Sequence, residues 1–182
     1  CGTESSNTAI QGSIRDLGCK KIITSPIEHH ATLHTVEHLV EQKMCEVAYV
    51  KLLENGQIDL EHLAQLLSES TVPCLVTLMH ANNEIGNLLD IEKVAQLCAT
   101  YGAIFHTDTV QTFGHFEFNM QQYPIHFLSA SAHKFHGPKG AGMLYINSTV
   151  QIKPHIHGGA QERLMRAGTE NVPNIVGFAS AL

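Results

Sequence analysis

The run Pro73-Cys74-Leu75-Val76-Thr77-Leu78-Met79 constrains the fold more than any other stretch of this chain. It is short, apolar almost throughout, and does not alternate between apolar and polar positions. A strand of that kind belongs in a sheet covered on both faces. Segments of alternating type surround it. Lys20–Thr24 reads as a strand closed by Ser25-Pro26, and His30–Gln42 as a helix with Leu33, Val36, Leu39 and Val40 on one side. Cys45–Val50 reads as a strand, and Asp59 as the N-cap of a helix over Leu60–Leu67. Asp90 opens a helix that runs through Tyr101 and stops at Gly102. Ala103–His106, Ile125–Ser129 and Gly142–Ile146 read as further strands. This alternation predicts an α/β protein, a three-layer α/β/α sandwich around a mainly parallel sheet.

The 182 residues fit one domain, and a 43% hydrophobic content with 15% charged residues supplies a core and excludes disorder. The chain opens on Cys1-Gly2-Thr3-Glu4 at the edge of a helix and closes on Phe178-Ala179-Ser180-Ala181-Leu182 inside another. It therefore reads as a piece of a longer protein. With 17 acidic against 11 basic residues and no basic stripe, nucleic acid and anionic membrane are not expected partners. No apolar run is long enough to span a bilayer, and no signal-peptide pattern is present. The five cysteines are Cys1, Cys19, Cys45, Cys74 and Cys98, an odd count without paired spacing. That count argues against disulfides or a zinc site and for a reducing, cytoplasmic compartment, and Cys45, Cys74 and Cys98, in apolar periodic stretches, read as small buried hydrophobes.

Ligands of open α/β sheets bind beyond the carboxyl ends of the strands. The polar motifs of this chain fall there: His29 after the first strand, Asn82-Asn83 after Met79, Asp108 after His106, and Lys134 after Ser129. A lysine and an aspartate so placed suit pyridoxal phosphate. The lysine can form a Schiff base, and the carboxylate can keep the pyridinium nitrogen protonated, which makes the ring an electron sink. Read singly, Lys134 is better taken as a surface lysine in a Gly/Pro turn and Asp108 as a helix cap.

Six segments occur in order: Gly2-Thr3-Glu4-Ser5, Glu28-His29, His80-Ala81-Asn82-Asn83-Glu84-Ile85-Gly86, His106-Thr107-Asp108-Thr109-Val110-Gln111, Ser131-Ala132-His133-Lys134, and Arg166-Ala167-Gly168-Thr169-Glu170-Asn171. Together they resemble the cofactor-binding domain of the cysteine desulfurases, NifS-like members of the class V aminotransferases of fold type I. The resemblance covers essentially the whole chain. It implies a large pyridoxal-phosphate domain over 1–182, with an amino-terminal segment and a carboxyl-terminal small domain lying outside it. It implies that Lys134 carries the cofactor, Asp108 pairs with the ring nitrogen and Gln111 donates to the phenolic oxygen. His29 would stack on the ring and move protons, with His30 its rival by one position, and Asn83 would lie near the ring while Asn82 serves the turn. Gly2 and Thr3, at a helix start, would bind the phosphate with Ser131 and His133. Thr169 would reach the phosphate of a neighbouring subunit, implying a homodimer. Arg163 and Arg166 are open between carboxylate or dimer contacts and ordinary surface charges. The implied reaction releases sulfur from L-cysteine, leaving alanine, for iron–sulfur cluster assembly or another sulfur-transfer pathway, with a sulfur-acceptor or scaffold protein as partner. That reaction needs a cysteine on a mobile loop, and none of the five sits in a matching Ser/Gly/Ala-rich loop.

Three other readings compete. His30, His34 and His38 recur on one helix face and His155-x-His157 offers another pair, a pattern for metal binding. A related class V transaminase or lyase would use the same cofactor residues. A relative of this fold could also serve only as an interaction module.

Overall fold

A computed structural model describes residues 1–182. Helix α1 (Gly2–Arg15) leads into β1 (Lys21–Thr24), α2 (His30–Glu41), β2 (Glu46–Tyr49), α3 (Leu60–Ser68), β3 (Cys74–Met79), α4 (Ile91–Thr100), β4 (Ile104–Asp108), β5 (Phe127–Ser131), β6 (Gly142–Ile146) and α5 (Val172–Ala181). The strands form one sheet in the order β2-β1-β3-β4-β5-β6. The first five pair in parallel, and β6 runs antiparallel to β5. The segment 132–141 between these last two strands is too short for a crossover helix, so the chain turns back on itself.

Asp59 and Asp90 start α3 and α4 as their positions predict. Asp59 Oδ1 accepts from the His62 N–H at 3.0 Å, and Asp90 Oδ1 from the Lys93 N–H at 3.1 Å. Each such cap contributes about 1 kcal/mol. β4 extends past His106 to Asp108, and β5 is displaced to end at Ser131 rather than Ser129. Polar side chains mark both places, yet the backbone ladder continues there. Asp108 and Ser131 are thus the last residues of buried strands.

Helices cover both faces of the sheet. On one face Ile10 and Ile14 of α1 and Val36 and Leu39 of α2 enclose Ile22 and Leu75. On the other, Leu63 and Leu67 of α3 and Val94, Ala95 and Cys98 of α4 pack on Val76, Leu78, Phe105 and Leu128. Strand side chains alternate between faces. On the α1 face β3 therefore presents Leu75, Thr77 and Met79, β4 presents Ile104, His106 and Asp108, and β5 presents Phe127, Ser129 and Ser131. This face is apolar at the amino ends of the strands and polar at their carboxyl ends. Burial holds the sheet together at one end, while the other end is committed to hydrogen-bonding groups.

His106 sits at the changeover. It is fully buried, with Nδ1 2.8 Å from Thr77 Oγ1 and Nε2 2.9 Å from Ser129 Oγ, so one imidazole joins three strands. Burial pushes it down to about 3. The unfolded chain then binds a proton at this ring that the folded chain does not, and stability contributed above the ordinary imidazole value of 6.5 is lost as pH falls towards 3. His106→Ala would strand two hydroxyls and open a cavity. It is expected to cost on the order of 3 kcal/mol at neutral pH and to flatten the acid limb of stability, both read from urea denaturation across pH.

Candidate active site

The polar ends of the strands meet at one rim. Asp108 closes β4 and is 7% exposed. Its Oδ1 accepts from the Val110 N–H at 2.9 Å, which leaves Oδ2 without a protein donor. Burial raises its pKa, while the Val110 N–H and the nearby His29 imidazole work against that shift. A buried carboxylate with one open oxygen and an imidazole beside it is suited to a cationic N–H.

Beyond Ser131 the chain makes a short 3-10 turn over Ala132–Lys134. The Gly137 N–H donates to the Ala132 carbonyl at 2.9 Å, an approach so close that a Cβ at Gly137 would lie 2.7 Å from the Ala132 Cβ. This explains the glycine three residues after Lys134. Phe135, 2% exposed, anchors the turn against Phe113 and Phe178. Between these two fixed points the Lys134 side chain is exposed and has no salt-bridge partner. Lys139 is exposed on the following Gly/Pro turn.

The amino end of α1 is seated against the ends of β4 and β5. A Cβ at Gly2 would come within 2.7 Å of Val110 Cγ2 and 3.4 Å of Ser131 Cβ, so only glycine fits. Cys1 provides no side-chain cap, and the first-turn N–H groups remain open beside Ser131, whose Oγ lies 2.9 Å from His133 Nδ1. Thr3 is exposed and shares with His29 an open groove of about 480 Å³ between α1 and α2. The structure thus brings Gly2, Ser131 and His133 together at the rim beside the end of β4 that carries Asp108, with Thr3 and His29 lining one groove.

His29 caps α2, its Nδ1 accepting from the Ala31 N–H at 3.1 Å, which places the proton of the neutral ring on Nε2. His30, already inside the helix, is exposed. Asn82 is buried and holds its loop. Its Nδ2 donates to the Ile27 carbonyl at 2.7 Å, and its Oδ1 accepts from the N–H groups of Glu84 and Ile85. Asn83 is exposed and donates to its neighbour Glu84. Gln111 is half-buried in a hydrogen-bonded turn after β4 rather than at a helix start. Arg166 pairs with Glu4 at 2.8 Å, which latches the 166–169 segment to the first turn of α1. Thr169 and Arg163 are both exposed.

Two buried groups at the rim carry no label in a linear reading. His80 Nδ1 lies 2.9 Å from Thr112 Oγ1 and its ring stands edge-on to Phe116 and Phe118. Glu28, 6% exposed, bonds to Ser25. The pattern Ser25-x-x-Glu28 at a strand end was the available signal, and its content is tertiary. The histidines of α2 are exposed, and no group of three or more His, Cys, Asp or Glu side chains is placed to hold a metal ion. No helix is long and apolar enough to cross a membrane.

Cys19, Cys45, Cys74 and Cys98 are buried, and Cys1 is exposed. Burial pushes the Cys19 thiol up to about 12 and raises those of Cys45 and Cys98. Alkylation of the native protein is expected to label Cys1 at least roughly tenfold faster than the other four, with all five labelled after denaturation, as read by peptide mass spectrometry.

Known proteins share this arrangement. The aminotransferase class-V family model matches residues 1–182. The cysteine desulfurase IscS of Dictyoglomus turgidum is 45% identical over all of this chain and 46% of its own length. A solved NifS-like protein superposes with a TM-score of 0.93 at 41% identity, covering all of this chain and half of that one. A structure described as SspA in complex with cysteine gives a TM-score of 0.90 at 34% identity, covering 99% of this chain and 52% of that one. The chain spans about half the length of the curated relatives it matches. The sandwich, the rim of strand ends and a match that runs from the first residue to the last make this chain a member of the class-V aminotransferase family.

Proposed function

We propose that this chain is the pyridoxal-phosphate-binding part of a cysteine desulfurase, which takes sulfur from L-cysteine and leaves alanine. The observation that carries this reading is the placement of Asp108 and Lys134 at the ends of adjacent parallel strands, opening on one rim. The residues there fit the cofactor. The open N–H groups at α1, with Thr3, Ser131 and His133, would hold the phosphate dianion. The free Asp108 oxygen would take the ring nitrogen, and Lys134 would bind the aldehyde through its amine. His29 would cover the ring, its Nε2–H free because Nδ1 is committed to the helix cap. When bound, pyridoxal phosphate supplies an electron sink for the substrate carbanion. Lys134 and His29 would then move the protons at the substrate.

Relatives named cysteine desulfurase across the whole chain support the substrate, as does a neighbouring structure with cysteine. The acceptor thiol is not one of the four buried cysteines, because they are enclosed away from the rim. A homodimer is supported by Thr169, exposed on a segment latched to α1, and by the apolar face of α5, where Val172, Ile175 and Val176 are exposed by 60%, 48% and 57%. The test is sulfide release from L-cysteine by the full-length protein loaded with pyridoxal phosphate in the presence of a reductant. Amino transfer to a 2-oxo acid without sulfide release would overturn this reading in favour of a transaminase.

A further inference from the structure

Glu28 lies one residue before His29 and is enclosed at the carboxyl end of β1. Its Oε1 accepts from Ser25 Oγ at 2.7 Å, and its Oε2 is buried with no partner. Beside it is a small cavity of about 20 Å³, room for one water. The residues that line this cavity from the 56–58 and 79–89 segments, among them Gln57, Met79 and Asn82, are all uncharged. Asp108 is the charged group that reaches Glu28 from the end of β4, across β3, and its sign is unfavourable. The adjacent His29 has its Nδ1 turned to the α2 backbone. No salt bridge involves Glu28. A carboxylate enclosed in this way, with no cation and only the Ser25 hydroxyl and the Met79 backbone to favour its charge, is strongly disfavoured, so the group keeps its proton.

We propose that Glu28 is a positioning residue for the Asp108–His29 pair and works as an uncharged acid. Its hydrogen bond to Ser25 fixes the loop that sets His29 at the start of α2. Its lack of charge leaves Asp108 as the single anion at the floor of the site, matched to the single cation of a protonated ring nitrogen. A second carboxylate there would make each of the two harder to ionise. This role rests on the reading that Asp108 holds the cofactor ring.

Burial pushes the Glu28 carboxyl up to about 8, against the Ser25 hydroxyl and the Met79 backbone and reinforced by Asp108. Between the ordinary value of 4.5 and about 8 the folded chain keeps a proton that the unfolded chain releases. The contribution to stability is therefore full below that window, falls as pH rises through it, and is level above it. His106 works in the opposite direction at acid pH, and comparing two proteins that both retain it cancels its contribution.

The experiment is thermal melting of the full-length protein, without added cofactor, for wild type and Glu28→Gln. The melting temperature of wild type is expected to fall relative to Glu28→Gln from about pH 4.5 to about pH 8, with a constant difference above that. A difference that is the same at every pH would overturn the uncharged state. Should Glu28→Gln not fold, Ser25→Ala serves instead. It removes a donor that favours the charged form, so the fall is expected to begin at the same pH and to end at a higher one than in wild type, and an end point that is unmoved or lowered overturns the uncharged state equally. Positioning is read separately, by titrating the folded proteins with pyridoxal phosphate and following visible absorbance. Glu28→Gln should retain affinity within about threefold, and Glu28→Ala should lose roughly tenfold or more. Equal affinity in Glu28→Ala and wild type would remove the positioning role. Failure of wild type itself to bind would sink the cofactor reading and leave the melting comparison standing.

Discussion

Lys134→Ala is expected to eliminate covalent capture of pyridoxal phosphate and to lower sulfide release from L-cysteine by roughly 10³-fold or more. The size of the effect follows from two duties on one amine. Lys134 would hold the aldehyde at the rim through its amine, and the same amine, when free, would move the proton at the substrate. The turn that carries it is rigid on both sides, held by the Gly137–Ala132 contact and by buried Phe135. A neighbouring lysine therefore gains no access when this one is lost. Lys139 is the nearest competitor in sequence and is exposed on the next turn. Lys134→Arg should be as inactive as Lys134→Ala, since a guanidinium keeps the positive charge but is not a usable nucleophile. The measurement is borohydride reduction followed by peptide mass spectrometry. A reduced adduct on the peptide carrying Lys134 in wild type, absent in both variants, is the expected result. An adduct that persists on Lys139 in the variants, together with retained turnover, would mean that the wrong lysine has been assigned.

Sequence patterns made much of this arrangement legible, for reasons that differ between residues. The nearly continuous apolar run of β3 required helices on both faces, and α3 and α4 on one side with α1 and α2 on the other meet that requirement. Asp59 and Asp90 cap helices because their chemistry is local, acting on an N–H three residues away. The ends of β4 and β5 lie two residues beyond what the sequence suggests, since Thr107, Asp108 and Ser131 look like loop residues until neighbouring strands supply their ladder. Partners distant in sequence were illegible. Arg166 finds Glu4 across 162 positions, and His106 finds Thr77 and Ser129 on two other strands. Glu28 shows in the sequence only as the residue before His29 and as the end of Ser25-x-x-Glu28. Its enclosure depends on Met79 and Asn82 closing over it, which no pattern around position 28 encodes.

Asp108→Asn is expected to lower turnover by about 10²- to 10⁴-fold while leaving pyridoxal phosphate bound. The substitution is nearly isosteric, and an asparagine Oδ1 can still accept from the Val110 N–H, so the end of β4 keeps its shape. The second position changes in kind. Asp108 offers an open oxygen bearing negative charge, whereas an amide offers either a neutral oxygen or an N–H group. Neither holds a proton on a pyridine nitrogen as a carboxylate does, and an unprotonated ring is a much weaker electron sink. Burial sharpens the contrast, because a charge-assisted hydrogen bond is worth more where water is excluded. Most of the binding energy should survive, since the proposed phosphate contacts at α1 and the proposed bond to Lys134 would lie elsewhere. The expected signature is therefore a separation of effects: retained visible absorbance and borohydride-reducible cofactor, with turnover almost gone. Full turnover in Asp108→Asn with tight cofactor binding would mean that another group protonates the ring, and loss of cofactor altogether would make Asp108 an anchor rather than the source of the ring's charge.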